Sequence, residues 1–172
     1  MRDHVDRIFE QWAVERPDLD RSAMAVLARI LRAARIVDLE MGRVFAEDGL
    51  HRGEFDVLAT LRRAGKPYRL NPTDLSATVL LSTGAMTNRL DRLESAGLVR
   101  RLADPEDRRG VLVELTAEGR SLIDRVLTAH VRNEERILES LTDADRRQLT
   151  RLLRKLLVSL GEREEPLERA AS

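Results

Sequence analysis

The sequence predicts a mainly α-helical protein with one small β-hairpin, and three observations carry that prediction. Leu, Ala, Arg and Glu dominate the 172 residues, a composition that favours helix. Apolar residues recur at helical spacing over most of the chain. Residues 98–102 and 111–115 break that period and read as short strands, the second rich in β-branched and apolar residues.

The first part of the chain contains three predicted helices. Residues 3–15 carry apolar side chains at helical spacing, and Pro17 ends this helix because the residue before a proline is pushed out of the α region. A long helix follows at about 20–46. A third helix spans 53–64 and is closed by Gly65.

Two short helices with almost no link between them come next. Asn71 and Pro72 are an N-cap and a first-turn proline. Ser82 is the predicted N-cap of a second helix at 83–96, which Gly97 closes. Such a pair is the signature of a helix-turn-helix.

The β-hairpin follows this pair directly, which makes it a wing. A helix at about 117–140 comes after it, and residues 142–145 then resemble a capping box that begins a leucine-rich last helix. The predicted fold class is therefore a winged helix-turn-helix, mainly α with a small β-wing, flanked by N- and C-terminal dimerisation helices.

Four segments follow from this pattern. We expect an added helix and a dimerisation helix at 1–50, a DNA-binding domain at 51–116, C-terminal dimerisation helices at 117–161, and a disordered tail at 162–172. The long end helices carry apolar stripes that need a partner surface. A second copy of the chain is the simplest partner, so we expect a homodimer.

Several classes of protein are disfavoured by composition. The chain has no cysteine, which excludes disulfides and thiol redox sensing. It has neither an apolar run of about 18 residues nor a signal-peptide core, so we expect a cytoplasmic protein without membrane association. The three histidines lack metal spacing, and no nucleophile elbow or phosphate loop is present. We therefore expect no catalytic residues, metal or cofactor.

Charge is neutral overall but unevenly distributed. Residues 60–101 contain eight basic and three acidic side chains, a net charge of +5. Such a segment is either a phosphate-binding face or a solvated helical surface.

The second helix of the pair has the pattern of a DNA-reading helix. At roughly 100° per residue, Thr87 and Asn88 point away from its apolar stripe, and Arg92 lies at the outer flank. The alternative for this helix is an ordinary surface helix. For the hairpin, whose tip carries Arg108 and Arg109, the alternative is a polar turn. The predicted DNA contacts are Ser82, Thr83, Thr87, Asn88, Arg92, Arg108 and Arg109.

These residues carry a family resemblance. Residues 82–101 resemble the recognition helix and first wing strand of the MarR family, and residues 104–119 resemble its wing and exit. The resemblance covers about residues 50–120. It implies a ligand-responsive dimer on a pseudo-palindromic double-stranded DNA operator, with half-sites about one DNA turn apart. It also implies that Arg109, with Arg108 beside it, enters the minor groove.

The added first helix and residues 54–58 resemble the urate-responsive branch of that family. The branch attributes ligand recognition to a Trp, an Asp and two Arg, which match Trp12, Asp56, Arg89 and Arg101 here. The resemblance implies a repressor released from its operator by a small-molecule effector, urate or a related purine. A generic repressor that responds to a phenolic or lipophilic ligand is the alternative, and a purine-processing enzyme is a remote one.

The chemistry of these four residues suits a planar anion. An indole stacks on a purine, and a guanidinium fork matches the carbonyl and nitrogen edge of urate. Arg89 lies roughly 60° from the centre of the apolar stripe, so it can face inward. Each residue also has a simpler role: Trp12 as an apolar anchor, Asp56 as a first-turn acid, and both arginines as phosphate contacts.

Overall fold

The computed structural model describes residues 2–79, 83–105, 107 and 110–162, and for 78, 79 and 83–85 it describes the backbone alone. The elements within these ranges are α1 His4–Glu15, α2 Ser22–Glu47, α3 Arg52–Arg63, β1 Arg69–Leu70, α4 Pro72–Val79, α5 Thr83–Ser95, β2 Val99–Ala103, β3 Val111–Leu115, α6 Ala117–Ile137 and α7 Asp143–Ser159. The chain divides into two compact units after Asn133. The predicted fold class is confirmed.

In the first unit, α1 is held to α2 through its own N-cap. The Asp3 carboxylate accepts hydrogen bonds from the backbone N–H groups of Val5 and Asp6, at 2.7 and 3.1 Å. Arg29 of α2 reaches the same acids, 2.8 Å from Asp3 and 2.5 Å from Asp6. Val5 is buried beneath this network.

One apolar core joins α3, α5, the sheet and α6. The buried side chains of α5 are those of the predicted stripe, because its spacing brings them to one face. The core side chains are Val57, Leu58, Leu61, Met86, Leu90, Leu93, Val99, Val113, Ile123 and Val126.

The sheet has three antiparallel strands in the order β1-β3-β2, one more than the hairpin that the sequence predicts. Arg69 pairs with Glu114, and Leu70 with Val113. A two-residue strand is too short to show a period of two, so sequence patterning cannot detect it. In the register of the sheet Arg69 lies opposite Glu114, and the Glu114 carboxylate accepts a hydrogen bond from Arg100 of β2.

The start of α6 lies against the end of α5 and the start of β2. The Thr116 hydroxyl donates to the Gly97 carbonyl at 2.7 Å and accepts from the Gly119 N–H at 3.0 Å. A side chain at Gly119 would collide with the Leu98 backbone carbonyl. This close approach of backbones explains why glycine stands there.

The second unit contains the end of α6 and all of α7. Thr142 is the N-cap of α7 and forms a capping box with Asp145. The Asp145 carboxylate accepts a hydrogen bond from the Thr142 N–H at 3.1 Å. The leucines of α7 are largely exposed in the single chain, as are apolar residues of α2 such as Leu31. No helix among the described residues is long and apolar enough to cross a membrane.

Candidate DNA interface and effector site

Helix α5 shows two different faces. Thr87 and Asn88 are exposed, while Arg89 is half-buried beside the core residues Met86 and Leu90. The inward turn predicted for Arg89 is therefore confirmed. The structure thus leaves polar side chains of α5 on the surface and brings one of its arginines to the interior.

Part of the predicted DNA contact set lies outside the described residues. Ser82, Arg108 and Arg109 are in this group, as is the side chain of Thr83. Their roles remain predictions.

Arg92 is bound to α3. Its Nη2 atom lies 2.8 Å from Oε1 of Glu54, and the Glu54 side chain is only 7% exposed. The other Glu54 oxygen accepts a hydrogen bond from the His51 N–H at 2.8 Å, which caps the first turn of α3. More than half of the Arg92 side chain is exposed. The predicted DNA contact is thus also a tie between α5 and the first turn of α3.

Arg89 also reaches α3. Its guanidinium lies over Gly53, where a Cβ atom would be 2.8 Å from Nη2 and closer still to Nε and Cζ. The Arg89 charge acts on the Asp56 carboxyl and favours its ionised form. The structure therefore brings together two of the four predicted effector residues, one from α3 and one from α5.

Asp56 is a half-buried acid among cations. Burial raises the pKa of Asp56 above its ordinary value, while the charges of Arg52, Arg89, Arg63 and His130 act in the opposite direction. Because burial is the larger influence, water is partly excluded around this carboxyl. A site of this kind strengthens charge-assisted bonds to a bound ion.

Aromatic rings pack together where α3 begins. Phe45 and Phe55 stack with ring centroids 4.1 Å apart, and the His130 ring lies 4.9 Å from that of Phe55. Both phenylalanines are buried in the core, so these rings pack α3 against α2 and α6.

The other two predicted effector residues have different surroundings. Arg101 binds Asp91 and Glu94 of α5, at 2.6 and 2.5 Å, so it ties the base of the wing to the same helix. Trp12 is 42% exposed on α1. The polar contacts that fix α1 run to Arg29 of α2.

Comparison with known proteins identifies this arrangement. A sequence profile of the MarR family matches residues 50–111, the region from α3 to the start of β3. The transcriptional regulator PecS from Dickeya dadantii (strain 3937) is 42% identical over 149 residues, which are 87% of this chain and 90% of that protein. The chain belongs to the MarR family. It is a transcriptional regulator and not an enzyme.

Two solved structures share this fold. A mutant of Escherichia coli MarR, complexed with operator DNA, has a TM-score of 0.70 at 28% identity, covering 80% of this chain and 97% of that one. BpsR from Bordetella bronchiseptica, whose DNA binding is regulated by 6-hydroxynicotinic acid, has a TM-score of 0.67 at 26% identity, covering 76% and 97%.

Sequence reasoning missed three residues of this MarR-family site. Glu54 stands at the third position of α3, but the N-cap is His51, which is not among the preferred capping residues. Gly53 reads as a weak helix former. His130 lies on a distant helix, so only tertiary packing shows that it is close. The spacing of His51 and Glu54 is the one signal that could have been used.

Proposed function

We propose that this MarR-family regulator is a homodimeric repressor that leaves its operator when urate or a related purine binds. One observation carries the proposal: the Arg89 guanidinium of α5 lies over Gly53 of α3, and its charge acts on the half-buried Asp56 carboxyl. An anion that recruits Arg89 acts on the same helix that presents Thr87 and Asn88 to the surface. Ligand binding and DNA binding then share one rigid element.

The DNA-binding part of the proposal is supported by charge and topology. Helix α5 would lie in the major groove, and Arg108 and Arg109 at the wing tip would enter the minor groove. The segment 51–116 would thus be the DNA-binding domain. The related Escherichia coli protein is solved on operator DNA.

The homodimer is supported by exposed apolar side chains. Leu31 on α2 is 71% exposed, and Leu152 and Leu157 on α7 are about half exposed in the single chain. Leaving such leucines in water is unfavourable at about 25 cal/mol per Å². A second copy would cover them and present two copies of α5 to a two-fold DNA site.

Urate suits the effector site by charge and shape. It is a planar anion near neutral pH, and the Arg89 fork would bind its oxygen and nitrogen edge. Trp12 would supply an indole face and Arg101 a second cation. The ligand must bind more tightly to the conformation that binds DNA less well. Bound ligand would then weaken operator binding by the same factor by which bound operator weakens ligand binding.

Fluorescence anisotropy of a labelled promoter fragment tests the proposal. We expect urate and xanthine to release the protein and salicylate to act only at higher concentration. Arg89→Met should abolish release by urate, while the matched change Arg151→Met, on the exposed side of α7, should leave it intact.

Three outcomes would contradict this proposal in different ways. Failure to bind the promoter fragment would refute the regulator's operator role. Release by salicylate but by no purine would transfer the site to a phenolic ligand. Urate release that survives Arg89→Met would remove Arg89 from the mechanism.

A further inference from the structure

The first turn of α3 carries a glycine that its backbone does not require. Four glycines have positive φ angles that favour this residue: Gly49, Gly65, Gly97 and Gly161. Gly53 is not among them and lies inside α3, where alanine is the better helix former. A reason for glycine at this position must therefore come from its surroundings.

The surroundings of Gly53 are occupied by Arg89. An added Cβ would meet Nε, Cζ and Nη2 of the Arg89 guanidinium, all inside normal contact distance. These are the three nearest atoms, and all belong to the end of one flexible side chain. A side chain at this position would therefore move the guanidinium and leave the backbone in place.

We propose that Gly53 is a positioning residue of the effector site, because its missing side chain leaves the space in which the Arg89 guanidinium lies, where its charge can act on Asp56 and on a bound anion. The inference rests on the proposed function for the identity of that anion. Any larger residue at this position disconnects the recognition helix from the ligand.

The Arg89 guanidinium retains a donor for such an anion. Its Nη1 atom is buried, and nothing among the described residues accepts a hydrogen bond from it. A buried donor without an acceptor is unfavourable, and the oxygen of an anionic ligand would satisfy it. The position over Gly53 thus holds the guanidinium at the first turn of α3, where its charge acts on Asp56.

A pair of glycine variants tests this role. Gly53→Ala should fold, since the collision involves only the end of a side chain. Gly42→Ala is the matched control: it also replaces a helical glycine, and no described atom lies within 4 Å of the added Cβ. Arg89→Met removes the guanidinium directly. Circular dichroism of all three variants checks that the fold is retained.

The first measurement needs no ligand. The Asp56 carboxyl is titrated by NMR while Arg52, Arg63 and His130, the other cations that act on it, are kept unchanged. Because the Arg89 charge lowers the pKa of Asp56, Gly53→Ala should raise that pKa by as much as Arg89→Met does. The double variant should show no further increase, and Gly42→Ala no change. An unaltered Asp56 titration in Gly53→Ala would overturn the proposal.

The second measurement is calorimetric titration with urate. Loss of a charge-assisted hydrogen bond should weaken binding by about tenfold or more in Gly53→Ala and Arg89→Met, and Gly42→Ala should match the native chain. Native affinity in Gly53→Ala would refute the role of Gly53. If the native chain itself fails to bind urate while the Asp56 titration shifts as expected, urate is refuted as the ligand. The conclusion that Gly53 positions Arg89 would stand.

Discussion

Replacing Glu54 with Ala should lower the free energy of unfolding by about 2 kcal/mol, the sum of a lost helix cap and a lost ion pair. Glu54 is 6% exposed and serves both contacts at once. One carboxylate oxygen accepts from the His51 N–H at 2.8 Å, and the other lies 2.8 Å from Nη2 of Arg92. A single substitution therefore removes two connections at the first turn of α3.

The magnitude follows from the surroundings of each partner. Loss of a helix cap lowers stability by about 1 kcal/mol. The Arg92 side chain is 57% exposed, so water screens the attraction between Arg92 and Glu54. Losing this ion pair therefore lowers stability by at most about 1 kcal/mol. For a chain of this length, 1 kcal/mol corresponds to about 2–4 °C in Tm. The expected decrease in Tm is therefore about 4–8 °C.

Differential scanning calorimetry at one fixed protein concentration measures this effect, because the apparent Tm of an oligomer depends on concentration. Glu54→Gln keeps an acceptor for the His51 N–H and loses only the charge, so its decrease should be about half as large. Glu118→Ala, an exposed first-turn acid of α6, is the control. A Tm of Glu54→Ala within about 1 °C of native, where two lost contacts call for several degrees, would refute the reasoning. Equal losses in Ala and Gln variants would refute the assignment to two contacts.

Three further predictions concern other parts of the first unit. Gly119→Ala should lose about 1–3 kcal/mol in urea unfolding because the Leu98 carbonyl cannot move aside as a side chain does; an unchanged midpoint would contradict this. Burial raises the pKa of Asp56 above 3.8, so native stability relative to Asp56→Asn should be greatest below that pH and fall as pH rises through the raised pKa. The comparison uses about pH 3.5, below the ordinary Asp pKa, and about pH 7, above it. If the two proteins differ in urea midpoint by the same amount at both pH values, this would count against the burial of Asp56. Arg29→Met should speed hydrogen exchange in α1, and Arg7→Met, on an exposed face of α1, should not.

The elements of the fold were predictable wherever one period persisted over several turns. The stripe of α5 has a single face to bury, and β3 is rich in β-branched and apolar residues; both were placed to within a residue or two. Strand β1 was missed because two residues cannot display a period. Helix α6 ends at Ile137, before the predicted 140, because the following residues form a turn in which the Leu141 N–H bonds the Leu138 carbonyl.

The effector site was predictable in part. The helical wheel placed Arg89 inward because its angle from the stripe follows from residue spacing. The wheel gives no information on what an inward arginine meets. That Arg89 lies over Gly53, and that Arg92 binds Glu54, depends on how α5 crosses α3. The crossing is set by core packing between the helices, which no local pattern encodes.

The position of α5 is set by charge as well as by its apolar stripe. The Arg92 pair with Glu54 and the Arg101 contacts with Asp91 and Glu94 tie this helix to α3 and to the base of the wing, and the Arg89 guanidinium lies over Gly53 of α3. Burial of the stripe is non-directional, whereas ion pairs fix angle and register. An anion that takes the Arg89 guanidinium would thus leave the core intact and alter only one of the ties that orient the helix. A small ligand needs to supply only the free energy of that one contact to change how α5 meets DNA, which lies within the 1–3 kcal/mol typical of coupling between two sites.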